Sequence, residues 1–169
     1  MQPRLDILSA ADLEESVELI RLAMNEDEAV WARKTMDYHF ECQRHGVDSH
    51  RECFAFRDGR RMIGLVGLHH YAWGPEQHVW LSWFAVHPRY QGQGIGKLLL
   101  REIEDLARAV GYRKMLIETY SQPTFERARG FYETQGYVEL GQIANYLPDG
   151  SAMVVYGKQL PARAENQAD

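Results

Sequence analysis

The amino-acid sequence predicts a mixed α/β fold: a mostly antiparallel central sheet of about seven strands, with one central parallel pair and helices on both faces. Short apolar runs alternate with turn residues, longer segments carry apolar residues at helical spacing, and residues 78–120 read as strand–helix–strand. We expect that last succession to form a right-handed parallel crossover. A chain of 169 residues with 45% apolar and 25% charged residues has the size and composition of one globular domain.

We expect this single domain to span residues 1–160. Residues 161–169 lose the apolar pattern and are expected to form a flexible tail.

The first part of the chain reads as one strand and two helices. A short strand covers residues 4–8, and Ser9 and Asp12 are both possible caps for the next helix. A second helix covers residues 29–44. The first helix has one apolar stripe, made of Leu13, Val17, Ile20 and Met24.

Three sequential antiparallel strands follow. The first covers residues 53–56, and Asp58-Gly59 is a hairpin turn signal because glycine accepts a positive φ without steric cost. The return strand covers residues 62–72. After a turn at Gly74-Pro75, the third strand covers residues 78–86.

The remaining elements begin after a glycine-rich turn. In chain order they are a helix over 94–110 capped by Gly111, a strand over 114–120, a helix over 124–135 closed by Gly136, and strands over 137–146 and 152–160.

Composition argues against several partners. The net charge is -5, from 19 basic and 24 acidic residues, whereas a nucleic-acid partner favours a basic surface. No apolar run is long enough to span a membrane, and the N-terminus lacks the pattern of a signal peptide. We therefore expect a cytoplasmic protein in which Cys42 and Cys53 are reduced thiols. Seven scattered histidines offer no metal site, since adjacent His69 and His70 face opposite sides of a strand.

The glycine-rich turn is the strongest functional signal. It reads Val86-His87-Pro88-Arg89-Tyr90-Gln91-Gly92-Gln93-Gly94-Ile95-Gly96-Lys97 and joins a predicted strand to a predicted helix. A helix N-terminus presents unpaired N–H groups and partial positive charge, and glycines let a phosphate approach them. The turn therefore predicts a pyrophosphate cradle; the alternative is a tight turn that only needs flexible residues.

Two common phosphate motifs do not match this turn. A P-loop needs Gly at position 91 and Ser or Thr at 98, where the chain has Gln91 and Leu98. A dinucleotide fingerprint starting at Gly92 needs Gly or Ala at 97, where the chain has Lys97.

A third pattern does match. Gln91-x-x-Gly94-x-Gly96, with Ala85-Val86-His87-Pro88 before it and Leu98-Leu99 after it, resembles the coenzyme A signature of the GNAT superfamily of N-acetyltransferases. Residues 129–137, Arg-Gly-Phe-Tyr-Glu-Thr-Gln-Gly-Tyr, resemble a second motif of that superfamily. The resemblance covers about residues 52–160 and implies the GNAT fold, with acetyl-CoA as co-substrate and no metal.

The resemblance also implies roles for particular residues. Backbone groups of Phe84, Ala85 and Val86 would hold the pantetheine arm, and Phe84 or Val86 could polarise the acetyl carbonyl. Tyr132 would be the acid that protonates the leaving thiolate, with a packed core aromatic beside Phe131 as the alternative. The pyrophosphate would be held by the N–H groups of Gln91, Gly92, Gln93, Gly94, Ile95, Gly96 and Lys97.

The sequence departs from the superfamily pattern in two places. Many members carry a glutamate base on the strand before the glycine turn, but residues 80–83 are Trp-Leu-Ser-Trp. Many also carry an asparagine where this chain has Phe125, with Arg129 nearby for a phosphate or a surface ion pair. The candidate bases are Glu118, His69, His70 and His87, and solvent is a further alternative.

The function implied is transfer of an acetyl group to a primary amine of a small molecule or peptide. The alternative is a coenzyme A-binding sensor or accessory subunit with the same fold and no turnover. Several aromatic residues are candidates for an acceptor pocket or for the core: Trp31, Tyr38, Trp73 and Trp83. The acceptor, the range of acyl groups and a possible homodimer are not determined by the sequence.

Overall fold

The computed structural model of the protein describes residues 3–162. Most of the expected flexible tail, residues 163–169, lies outside the described residues. Within the described part of the chain, no helix is both long and apolar enough to cross a bilayer.

Residues 3–162 form seven strands and four helices. The strands are β1 Arg4–Ile7, β2 Arg51–Asp58, β3 Arg61–His69, β4 His78–Val86, β5 Lys114–Tyr120, β6 Val138–Ile143 and β7 Met153–Gln159. The helices are α1 Leu13–Ala23, α2 Glu26–Arg44, α3 Ile95–Val110 and α4 Glu126–Thr134. The strands form one sheet in the order β1-β2-β3-β4-β5-β7-β6, with β4 and β5 as its one parallel pair.

This architecture confirms the predicted fold class. Most element ends lie within two residues of the prediction, but three differ by three residues. One is the strand predicted over 137–146, which ends at Ile143. The strand predicted over 62–72 stops at His69, although the aromatic residues after it have high strand propensity. The helix predicted to start at residue 29 starts at Glu26, because the Asn25 side chain caps it by accepting from the Glu28 N–H at 2.8 Å.

The described chain divides into two compact units. One contains the chain up to Trp73 and Leu81–Glu102; the other contains Gly74–Trp80 and the chain from Ile103 onward. In the first unit, apolar faces of α1 and α2 pack on one face of the strands, against Ala55, Leu65 and Ala85. The start of α3 lies on the opposite face, where Leu99 is 3.1 Å from the Cβ position of Gly64.

The second unit is organised around β7. Its antiparallel register with β5 runs from Lys114↔Gln159 to Tyr120↔Met153. On its other side lies β6, an edge strand exposed along its whole length, whose register shifts between Glu139 and Gly141.

A buried polar cluster fixes α3 to β7 within this second unit. Glu104 is 5% exposed, and its carboxylate accepts from Lys158 Nζ at 2.8 Å and from Tyr137 Oη at 3.0 Å. Arg108 adds a further ion pair at 3.2 Å. Because the buried carboxylate is fully paired, its desolvation cost is offset.

Candidate active site

The glycine turn joins β4 to α3, as the sequence predicts. After β4 the chain makes a single 3-10 turn over Pro88–Tyr90, and Gly92 and Gly94 then adopt left-handed φ values of 73° and 81°. A Cβ added at either glycine would meet nothing within 4 Å. The glycines are therefore required by backbone conformation, and the space in front of the backbone is open to a ligand.

Side chains of the turn brace its own backbone. Gln91 Nε2 donates to the Val86 carbonyl at 2.9 Å, and Gln93 Nε2 donates to the Arg89 carbonyl at 2.7 Å. His87 Nδ1 accepts from the Arg89 N–H at 3.2 Å. This last bond gives His87, one of the candidate bases, a structural role. The turn holds its shape through its side chains and offers backbone groups to a ligand.

The helix after the turn starts with three N–H groups directed outward. The first helical bond that returns to the turn is from the Leu98 N–H to the Gly94 carbonyl, at 3.1 Å. The N–H groups of Ile95, Gly96 and Lys97 precede it and carry the positive end of the helix dipole. Together with the open left-handed glycines, these donors fit a phosphate-bearing ligand.

An open cavity of about 560 Å³ lies next to the turn, lined by Glu15, Asp58, Arg60, Arg61 and Tyr90. Arg61 Nη1 donates to Tyr90 Oη at 3.1 Å. Two arginines and two carboxylates share this lining, so it has no excess charge that would favour an anion.

Strand β4 contains a backbone feature that the sequence did not reveal. Trp83 has a φ of 47°, a left-handed conformation that costs a non-glycine residue about 1–2 kcal/mol. Its indole Nε1 donates to Thr35 Oγ1 of α2 at 2.8 Å. Trp83 directly precedes Phe84, Ala85 and Val86, the predicted backbone partners. Strained residues of this kind cluster at functional sites.

Tyr132 lies on α4 in the second unit. It is 6% exposed, and its ring packs edge-on against Phe131 and Tyr137, at centroid distances of 5.6 and 6.0 Å. Burial raises the pKa of the Tyr132 hydroxyl well above its usual range. The hydroxyl therefore stays protonated at neutral pH, as a proton donor must.

Glu118, the first candidate base, is an exposed residue of β5. Its carboxylate accepts from Tyr120 Oη at 3.3 Å. The second unit therefore contains both predicted catalytic residues, in different surroundings: Tyr132 among aromatic rings and Glu118 at the surface.

The other candidate bases lie in the first unit. Burial, with nearby Arg51, lowers the pKa of His69 to about 4, so the imidazole is neutral at physiological pH. His70 packs edge-on against His50 at a centroid distance of 4.9 Å.

Arg129 was expected to form a surface ion pair, but its side chain binds backbone carbonyl groups. Its Nη1 donates to the carbonyl oxygens of Tyr120 and Gln122, which fixes α4 to the end of β5. Phe125, which occupies the position of the superfamily asparagine, packs edge-on against Tyr120 at 5.5 Å.

The proposed pocket aromatics have unequal burial. Trp31 is 37%, Tyr38 57% and Trp73 87% exposed, so these three are surface residues, whereas Trp83 packs against the core of its unit.

Metal chemistry and thiol chemistry have no evident site in the described chain. Among residues 3–162, no group of three or more His, Cys, Asp or Glu side chains has the arrangement of a metal site. Cys42 and Cys53 are both buried free thiols, and burial raises the pKa of Cys53 to about 12.

Comparison with known proteins decides the family. The model of the acetyltransferase (GNAT) family matches residues 16–137, which is most of the chain and includes the glycine turn and α4. The chain belongs to the GNAT family of acetyltransferases.

Two relatives show how far the GNAT likeness extends. The chain is 38% identical over 65 residues to an "IAA acetyltransferase" of Azospirillum brasilense, covering 38% of this chain and 40% of that protein. It is 31% identical over 97 residues to the N-alpha-acetyltransferase RimI of Mycobacterium tuberculosis, covering 57% of this chain and 58% of the relative. The chain thus matches about half the length of these curated relatives.

A solved structure shows the same fold over nearly the whole chain. The crystal structure of a GNAT-family protein from Desulfovibrio desulfuricans superposes with a TM-score of 0.83 at 21% identity, covering 95% of this chain and 100% of that one.

Proposed function

We propose that this GNAT protein is an acetyl-CoA-dependent N-acetyltransferase that modifies a primary amine of a small molecule or peptide. The observation that carries the proposal is the turn at Gly92 and Gly94, where left-handed glycines with open space precede the N-terminus of α3. Such a turn suits the pyrophosphate of coenzyme A, held by the N–H groups of residues 91–97.

The proposed reaction breaks the thioester C–S bond and forms an amide C–N bond. The amine loses a proton, and the leaving thiolate gains one. In this proposal the Tyr132 hydroxyl supplies the proton from Oη. Backbone N–H groups of Phe84 and Val86 stabilise the negative charge on the carbonyl oxygen.

Removal of the amine proton is assigned first to Glu118. Glu118 is exposed, which suits an acceptor that arrives from solvent. Bulk water is the alternative base. The acceptor class rests on the relatives: proteins called N-alpha-acetyltransferase and ribosomal-protein-S18-alanine N-acetyltransferase have names that specify amine acceptors.

Two measurements test the proposal in sequence. First, acetyl-CoA at one hundred times its dissociation constant should stabilise the protein by about 2.7 kcal/mol, whereas NAD and ATP at the same concentration should not. Second, thiol release from acetyl-CoA should be followed against a panel of amino acids, polyamines and peptides with free N-termini. An unchanged melting temperature with acetyl-CoA would refute the proposal. Binding without thiol release across the panel would instead favour the sensor.

A further inference from the structure

Trp83 and Thr35 form a contact between β4 and α2 that none of the predicted roles explains. The indole Nε1 of Trp83 donates to Thr35 Oγ1 at 2.8 Å. The two residues are separated by 48 positions in the chain, and both belong to the first compact unit.

The hydrogen-bond direction at Thr35 is determined by its two neighbours. The Thr35 hydroxyl donates its single proton to the Ala32 carbonyl, at 3.0 Å. An indole N–H is only a donor, so the lone pairs of Oγ1 accept from Trp83. The bond to Ala32 therefore orients the Thr35 hydroxyl within its own helix. The oriented hydroxyl then fixes the position of the Trp83 ring.

Trp83 needs such a restraint because of its backbone. Its φ of 47° brings Cβ close to the following carbonyl, and a residue keeps that conformation only when its surroundings enforce it. The ring packs against the apolar core below α1 and α2, and the hydrogen bond to Thr35 fixes its polar end. Ring packing and the hydrogen bond together hold the left-handed backbone.

The direction of the next amide depends on this conformation. A left-handed residue inside a strand turns the following peptide group away from the regular ladder, as β-bulges do beside active sites. The next amide belongs to Phe84, which the proposed function assigns to the acetyl carbonyl.

We propose that Thr35 is a positioning residue of the transferase. By holding the Trp83 indole it maintains the left-handed backbone at residue 83, and it thereby directs the Phe84 N–H toward the acetyl carbonyl. This inference rests on the proposed function. Thr35 acts through Trp83 and does not touch the substrate.

The test measures polarisation of the carbonyl directly and needs no acceptor. Isotope-edited infrared spectra of acetyl-CoA labelled with ¹³C at the thioester carbonyl are recorded free and bound to the protein. A hydrogen bond to the carbonyl oxygen lowers its stretching frequency. Bound to wild type, the label should absorb at lower frequency than in solution; bound to Thr35→Val, the band should return most of the way to the free value. Thr35→Ser keeps the hydroxyl and should restore the wild-type band.

Two further variants separate positioning from general stability. Ser16 is a fully buried hydroxyl of α1 that donates to the Asp12 carbonyl at 2.8 Å, so Ser16→Ala loses a similar bond away from β4. Its band should stay at the wild-type value even when its melting temperature falls. Trp83→Phe removes the donor and should shift the band as Thr35→Val does, with no additional shift in the double variant.

Kinetics give a second readout once an acceptor is found. Thr35→Val should lower kcat about tenfold and leave KM for acetyl-CoA nearly unchanged. The loss is moderate because the Phe84 N–H is misdirected and not removed.

The outcomes distinguish the two claims. Failure of wild type to bind acetyl-CoA would remove the proposed function, and the role of Thr35 with it. If wild type binds and lowers the carbonyl frequency, but Thr35→Val gives the same band, the role of Thr35 is overturned and the proposed function stands. If Thr35→Val does not fold, the comparison of Trp83→Phe with Thr35→Ser decides the question in the same way.

Discussion

Substitution of Gly94 by alanine separates the conformational role of the glycine turn from its binding role. Gly94 has a φ of 81° and Gly46, at the end of α2, has a φ of 65°; a Cβ at either would meet nothing within 4 Å. The two alanine variants therefore have the same source of strain and no clash. A left-handed alanine costs about 1–2 kcal/mol, and in a domain of this size each kcal/mol lowers the melting temperature by about 2–4 °C. We expect both variants to lose about 2–8 °C.

Affinity for coenzyme A should distinguish the two variants. If the pyrophosphate lies against the N–H groups of residues 91–97, as proposed, a Cβ at Gly94 would fill space that is now open beside these donors and would keep the ligand at a greater distance. Loss of one hydrogen bond to a charged group costs about 1.5–3 kcal/mol, which corresponds to a dissociation constant about 10- to 100-fold higher. Gly46→Ala should bind coenzyme A as wild type does.

Isothermal titration calorimetry with coenzyme A, beside a thermal melt of each variant, measures both effects. A folded Gly94→Ala protein with wild-type affinity would show that the turn is only structural. An equal loss of affinity in Gly46→Ala would show that strain, and not contact, weakens binding.

Three further predictions concern the proposed acid Tyr132, the ion pair of buried Glu104 and the partly buried His69. Tyr132→Phe keeps the ring and removes the hydroxyl, so kcat in a steady-state assay should fall about 100-fold with little change in coenzyme affinity. Lys158→Met removes the ammonium 2.8 Å from the buried Glu104 carboxylate and should lower the free energy of unfolding in urea by about 3 kcal/mol. His69 has its pKa lowered to about 4, whereas an unfolded histidine titrates near about 6.5. Between these values the unfolded state binds more protons, so stability should fall by up to about 3 kcal/mol as the pH drops from about 6.5 to 4.

Each of these predictions has a control. Wild-type kcat in Tyr132→Phe at every pH would remove Tyr132 from the mechanism. Arg33→Met removes an exposed pair with Glu14 at 2.6 Å and should leave the free energy of unfolding nearly unchanged; an equally small effect of Lys158→Met would contradict the importance of burial. His69→Gln should lose the histidine part of the pH dependence, and an unchanged difference in stability between pH 7 and pH 5 would contradict the shifted pKa.

The elements that could be predicted were those bordered by turn residues or marked by an apolar pattern in their own sequence. Strand β4 begins and ends where predicted, at His78 and Val86, because a turn and Pro88 border it. Strand β5 was equally clear, since Gly111 precedes it and Met115, Leu116 and Ile117 form a short apolar run. The start of α2 was missed because its cap, Asn25, stands one turn before the apolar residues that mark the helix.

In the candidate site, too, features that depend on the residue type at a position could be predicted, whereas features that depend on a distant contact could not. Gly92 and Gly94 are visible in sequence because glycine is the residue that a left-handed turn selects. The left-handed Trp83 is invisible, because its conformation is held by a contact with Thr35, 48 residues away. Arg129 was misread for a related reason: its partners are backbone carbonyls, which no side-chain pattern reveals.

The exposed edge of the sheet has a consequence for how this protein behaves when concentrated. An edge strand with unpaired backbone groups is a template on which another chain can add a strand and begin to aggregate. Strand β6 also exposes apolar side chains, with Val138 65% and Ile143 53% exposed. Its register shift between Glu139 and Gly141 interrupts the straight row of donors and acceptors that an incoming strand would need. This irregularity protects the edge, and a variant with a regular β6 would present a continuous template for self-association.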